Sequence, residues 1–231
     1  MQSDLPKVLH KVHGRSMIDY SLEAAKTATG EKPVIVVGHK ADLVINHVGE
    51  QAHFVFQDKQ LGTGHAVRQA ENLLKGHCQF VLVLSADMPL LTSQTLASLI
   101  DTQKKHTGPM SMVTIMSENA RGFGRVIRNA QNLVQAVVEE AVATPEQLLI
   151  QELNAGVYCF SADWLWDALS QIQLSPNGEY YLTDLVEIAV QNRQSVQALT
   201  LSDPSEALGV NTQEHLREAE LQMNKFFASQ D

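Results

Sequence analysis

Val81-Leu82-Val83-Leu84-Ser85-Ala86-Asp87-Met88-Pro89-Leu90-Leu91 is an apolar run that ends in a carboxylate and a proline. It reads as a buried strand that delivers Asp87 into the loop at its C-terminal end. In an open parallel sheet, ligands bind at such strand ends. A second stretch, Gln57-Asp58-Lys59-Gln60-Leu61-Gly62-Thr63-Gly64-His65-Ala66-Val67, reads as a strand end, a glycine turn and a helix start. Both stretches point chemistry at the same edge of the molecule.

Working outward, strands and helices alternate with short links. Leu5-Pro6-Lys7-Val8-Leu9 reads as a short extended segment. Met17, Ile18, Leu22, Ala25 and Ala28 fall on one helical face, and Gly30 closes that helix. Pro33 to Gly38 is a β-branched run that fits a strand buried on both faces. A helix from 42 to 48, a strand from 53 to 57 and a helix from 64 to 74 follow. Phe80 to Ser85 is a strand, and Ser93 to Lys105 a helix with Thr92 as its cap. The alternation predicts an α/β fold with a mostly parallel sheet. After residue 108 the rhythm becomes β-rich, with a strand from 110 to 115. Hairpin strands then flank Arg128-Asn129-Ala130-Gln131-Asn132, and a further strand covers 155 to 160. Trp164, Leu165 and Leu169 mark a helix. Thr183 caps another through Val190, Val196 to Leu201 is a last strand, and 213 to 227 a last helix.

The chain has 231 residues, 44% hydrophobic and 19% charged, enough for one large α/β domain with a small lobe. Its net charge of -9 and the lack of a basic stripe argue against nucleic acid as a partner. Phosphorylated small molecules remain open, because a few lysines and backbone amides can bind phosphate. Cys78 and Cys159 are far apart without CxxC spacing, which reads as two reduced thiols in a cytoplasmic protein. Nothing resembles a signal peptide or a membrane span.

Asp87, at a strand end, suits a Mg²⁺ ligand, since hard cations take carboxylate oxygen; a turn or capping role suits it as well. Gly62-Thr63-Gly64 lets a ligand approach backbone amides at a helix start, although an ordinary glycine-bearing helix start has the same form. Lys7 can meet a phosphate or simply be solvated. Glu139, Asn154, Thr183 and Asn211 each have an ordinary reading as strand-end, turn or capping residues. None of the nine histidines has metal-ligand spacing, and no GxSxG elbow supports a nucleophilic serine.

Taken in order, the segments 5–9, 57–66, 86–90, Gly122-Phe123-Gly124-Arg125, Val138-Glu139, Glu152 through Gly156, 178–184 and Gly209-Val210-Asn211 resemble the sugar-nucleotide pyrophosphorylase family. They are most similar to the uridyltransferase domain of bifunctional bacterial N-acetylglucosamine-1-phosphate uridyltransferases. The resemblance implies a doubly wound, Rossmann-like (GT-A-like) nucleotidyltransferase domain over 1–227, with a small β-rich sugar-binding lobe inserted at about 109–160. It implies that UTP and N-acetylglucosamine-1-phosphate give UDP-N-acetylglucosamine, a cell-wall precursor, and pyrophosphate. Asp87 and Asn211 would hold Mg²⁺, with Lys7 facing the phosphates. Gln57, Gly62 and Thr63 would recognise uracil, and Ser85 and Ala86 would line the nucleotide. Gly124, Glu139, Asn154 and Thr183 would hold the sugar.

Three departures qualify that implication. The family places an apolar strand and a glycine-rich Gly-Thr-Arg-Met loop before the Leu-Pro-Lys segment, and Met1 falls where that methionine would be. The expectation is an N-terminally truncated domain with a gap in its sheet and impaired turnover. Ala86 and Ala141 replace a frequent glycine and lysine. No hexapeptide periodicity is present, so neither a β-helix domain nor acetyl transfer is expected. Two further readings stay open: a related transferase with another sugar or base, and a non-catalytic UDP-sugar-binding module. Oligomerisation is compatible with the sequence.

Overall fold

Helices run over α1 (Met17–Thr29), α2 (Ala41–Val48), α3 (Thr63–Arg68), α4 (Glu71–Leu74), α5 (Ser93–Lys105), α6 (Pro145–Leu148), α7 (Ala162–Leu169), α8 (Asp184–Gln191) and α9 (Gln213–Ala228). Strands are β1 (Lys11–Val12), β2 (Arg15–Ser16), β3 (Val34–Val37), β4 (His53–Phe56), β5 (Phe80–Val83), β6 (Met110–Met116), β7 (Arg125–Arg128), β8 (Val134–Val138), β9 (Glu152–Ser161) and β10 (Val196–Thr200). The computed structural model describes residues 4 to 228; Met1, where the expected start falls, lies outside the described residues.

A six-stranded mixed sheet forms the centre. β10 pairs with β6 in parallel, while β5 and β6 both pair antiparallel to β9. β5, β6 and β10 therefore point the same way, and β9 runs against them. The β7–β8 hairpin joins β9 where Arg125 faces Leu153. Alternate residues of β6 supply two cores. Met110 and Met112 pack with α7 and α8 through Leu165, Trp166, Leu185 and Val186. Val113 and Ile115 pack with α5 through Leu96 and Leu99. Helices thus cover both faces, the doubly wound arrangement expected. Within 109–160, strands β6, β7, β8 and β9 all belong to this sheet, and Val126, Val134 and Val137 of the β7–β8 hairpin pack in the same core as Met110 and Met112.

β3 and β4 form a separate two-stranded parallel sheet, with Val34 facing His53 and Val37 facing Phe56. Among the described residues no strand links the two sheets: β3 pairs with β4 alone and β5 with β9 alone. Helix α1 spans both. Its Ile18 and Leu22 pack with Val37, Val44 and Val48, while its Ala24 and Ala28 pack with Phe80 and Leu82. Gly30, at φ 72°, ends this helix as expected.

The structure corrects four expectations. β3 is not buried on both faces; only Val37 is buried, and among the described residues β4 is the one strand beside it. The Lys7–Leu9 segment is a 3-10 turn, tightened where the Leu9 amide donates to the Pro6 carbonyl. The helix expected from 64 to 74 breaks into α3 and α4 at Gln69–Ala70. Thr183 precedes α8 without a side-chain cap bond: its own backbone is already helical (φ -60°, ψ -25°) instead of the extended form a capping residue takes, and its hydroxyl donates to Glu139. Thr92 does cap α5, its side chain accepting from the Thr95 amide.

Candidate active site

The cation-binding cluster comes from three distant parts of the chain. Asp87 follows β5 in a turn. Its backbone carbonyl accepts from the Val210 amide at 2.9 Å, which brings the 209–211 loop alongside. Lys7, on the 3-10 turn, is anchored by Val8 and Leu9 in the core of the smaller sheet. Its ammonium forms an ion pair with Asp87 Oδ2 and donates to Asn211 Oδ1 at 2.7 Å. A cation thus already sits between a carboxylate and an amide oxygen, and this all-oxygen donor set fits a hard divalent cation. Among the described residues no three His, Cys, Asp or Glu side chains converge. A metal here would therefore complete its shell from substrate phosphates and water.

The second part is an open cleft of about 470 Å³ lined by Gln57, Gln60, Gly62, Thr63, Ala66, Glu139, Glu179 and Tyr181. Gln57 lies just beyond β4, and its amide donates to the Val37 carbonyl at 2.8 Å. One wall is a seam between two loops. The Tyr180 amide donates to the Leu61 carbonyl, and the Gly64 amide to the Tyr180 carbonyl, each at 2.8 Å. The Leu182 amide donates to Thr63 Oγ1 at 3.1 Å. Gly62 has φ 94°, and a Cβ there would lie 2.7 Å from the Tyr180 carbonyl oxygen. Only glycine fits that approach.

Glu139 forms the opposite wall, just after β8. Its Oε1 accepts from buried Thr183 Oγ1 at 2.8 Å. Arg125, buried beneath it, holds neighbouring Glu140 at 2.9 Å and fixes that turn. Gly124 lies against Glu139: a Cβ would meet Val137 Cγ1 at 2.8 Å and Glu139 Oε2 at 3.6 Å. The Asn154 amide donates to the Gly124 carbonyl at 2.8 Å, so these two positions are joined by backbone. The Asn154 side chain is buried: Nδ2 donates to Tyr158 Oη at 2.6 Å and Oδ1 accepts from the Gly156 amide. Burial also pushes the Tyr158 phenol above its ordinary range, so it stays protonated. Asp184, next to Thr183, is raised to about 6 by burial, then by the charges of Glu187 and Glu139.

The structure therefore groups Lys7, Asp87 and Asn211 in one cluster. Gln57, Gly62, Thr63 and Glu139 line the cleft, with Thr183 and Gly124 against Glu139. Ser85 is exposed and Ala86 half-buried beside Asp87, and neither lines the cleft. Gln60, Glu179 and Tyr181 were not singled out from sequence. All three fall within the segments 57–66 and 178–184 that carry the family resemblance, which is where the sequence pointed to them.

The chain is similar to known proteins over most of its length. A sequence profile described as nucleotidyl transferase matches residues 2–205. The bifunctional protein GlmU of Enterococcus faecalis is 39% identical over 212 residues, 91% of this chain and 46% of that protein. GlmU of Streptococcus sanguinis is 42% identical over 226 residues, 97% of this chain and 49% of that protein. The chain spans about half the length of these relatives. A crystal structure of a UDP-glucose pyrophosphorylase complexed with UDP-glucose superposes with a TM-score of 0.72 at 17% identity. It covers 96% of this chain and 91% of that one, a likeness of fold.

Proposed function

Because this chain belongs to the nucleotidyl transferase family, we propose that its cleft takes UTP and N-acetylglucosamine-1-phosphate and yields UDP-N-acetylglucosamine and pyrophosphate. The observation that carries this reading is the Lys7–Asp87–Asn211 cluster, taken with an open cleft lined by Gln57, Gly62 and Thr63. The similarity to GlmU proteins supports the choice of sugar nucleotide.

In this reading a phosphate oxygen of the sugar-1-phosphate attacks the α-phosphorus of UTP. The new P–O bond forms as the bond to the β-phosphate oxygen breaks, and pyrophosphate leaves with that electron pair. No covalent bond to the protein is required, so catalysis is positioning and charge neutralisation. Asp87 and Asn211 would hold Mg²⁺, which when bound would offset the charge on the phosphates. Lys7 contributes a compact positive charge to the same oxygens once it leaves Asp87. Gln57, Gly62 and Thr63 bind uracil, with Ser85 and Ala86 flanking the nucleotide. Glu139 accepts from a sugar hydroxyl while Thr183 fixes its orientation. Gly124 leaves room for the ring, and Asn154 supports that wall from behind. The product serves cell-wall precursor synthesis in the cytoplasm. No helix among the described residues is long and apolar enough to cross a membrane.

The test is pyrophosphate release from UTP, N-acetylglucosamine-1-phosphate and Mg²⁺, with glucose-1-phosphate and the other nucleoside triphosphates as alternatives. Release restricted to the first combination is the expected result. Equal or faster release with another sugar or base would replace the substrate assignment. UDP-sugar binding without any release would make the chain a binding module.

A further inference from the structure

The imidazole of His65 sits behind the cleft wall, between two glutamine amides. Gln57 Nε2 lies 3.1 Å from the Gly62 carbonyl oxygen and 2.9 Å from His65 Nδ1. A carbonyl oxygen only accepts, so the group facing it must be the amide NH₂. That NH₂ also donates to Nδ1, which must then carry a lone pair. A neutral imidazole has one acceptor and one donor nitrogen, so the ring proton is on Nε2. On the far side, Gln69 Nε2 is 3.2 Å from His65 Nε2 and 2.9 Å from the His65 carbonyl oxygen. Two amide donors thus face an imidazole with one acceptor site. The Gln57 contact is the shorter of the two, so it takes that site. Gln69 keeps the carbonyl. The Tyr180 ring stacks against the imidazole at 6.4 Å between centroids.

The consequence falls on the other end of the Gln57 amide. Among the described residues nothing donates to Gln57 Oε1, and Gln57 lines the cleft. A fixed acceptor there suits a pyrimidine with N–H at N3, which uracil has. Cytosine presents a lone pair at N3 and would meet Oε1 with repulsion. We infer that His65 is a positioning residue for base selectivity: its Nδ1 lone pair locks the Gln57 amide with Oε1 free, so the cleft accepts uracil and rejects cytosine. The inference rests on the reading that this cleft takes a pyrimidine nucleotide.

Equilibrium dialysis of UTP and of CTP with the full 231-residue chain tests it. The variants are His65→Ala, His65→Asn and His65→Asp. The Asn side-chain oxygen can occupy the place of Nδ1, and Asp offers acceptors only. Thermal melts identify the folded variants. In His65→Ala the preference for UTP over CTP falls about tenfold, the worth of one hydrogen bond. It returns in His65→Asn and His65→Asp, whose added charge affects both triphosphates alike. A folded His65→Ala with an unchanged ratio would overturn the inference while leaving the uridine reading intact. So would folded Asn and Asp variants that both fail to recover it. Wild-type protein that binds neither nucleotide, or both equally, would remove the uridine reading and this inference with it.

Discussion

Strands β3 and β6 are both mainly apolar and end in different environments. Met110–Met116 is buried at all but its last residue, with β9 and β10 on its two edges. Val34–Val37 has one neighbour and buries one residue. An apolar run makes a strand; the number of strands beside it decides how much of that strand is hidden. The same contrast divides the candidate site. Glu139, with Thr183 bonded to it, stands at the end of β8 of the six-stranded sheet. Gln57 stands on the two-stranded one. The Lys7–Asp87 pair joins them, since Lys7 is rooted in the smaller core and Asp87 precedes Met88 of the larger.

The most severe way to break that joint is Asp87→Asn. It removes the carboxylate that pairs with Lys7 and should lower pyrophosphate release about a thousandfold, on the scale of losing a charge-stabilising group. Activity within tenfold of wild type would take Asp87 out of the mechanism. Gly62→Ala attacks the seam between the loops. The left-handed backbone and the 2.7 Å approach to Tyr180 should together cost about 4 kcal/mol in urea unfolding.

The contrast between the sheets is sharpened by paired truncations. Leu153→Ala, fully buried on β9, should cost about 3 kcal/mol, and Ile35→Ala, half-buried on β3, about 1 kcal/mol. Equal costs would mean that the smaller sheet is packed as firmly as the larger.

The smallest expected effect concerns Asp184. Its folded carboxyl is raised to about 6 from an ordinary value of 3.8, so between those values the folded state binds more protons than the unfolded. Stability therefore falls as pH rises from about 4 to 6 and stays lower above that. After allowance for its partial exposure to solvent, the change is about 1 kcal/mol. Asp184→Asn should flatten this part of the stability profile; an unchanged slope would assign it to other groups.

Much of this arrangement is legible in sequence because it follows local rules. The apolar run before Asp87, the Gly30 stop and the Thr92 cap each depend on neighbours within a few residues. What is not legible depends on contacts across the chain. Thr183 is a good capping residue by type, yet its backbone is helical and its hydroxyl turns to Glu139, far away in sequence. Pro33 to Gly38 carries the pattern of a fully buried strand, but no sequence pattern states how many neighbours a strand has. Lys7 taken alone reads as an ordinary surface lysine; the family resemblance turns it toward phosphates, and the fold brings Asp87 and Asn211 to it. His65 lies in a quoted motif, and its part emerges only when Gln57, Gly62 and Gln69 surround it.

The central claim is that one cleft places uracil on the wall above the small sheet and the sugar on the wall of the large one. A crystal structure of the chain with UDP-N-acetylglucosamine tests it most directly. The account predicts uracil against Gln57, Gly62 and Thr63, the sugar beside Glu139, and the diphosphate directed toward Lys7 and Asp87. A ligand bound in reverse, or seated instead in the outer groove of Arg68, Gln69 and Asn72, would contradict it.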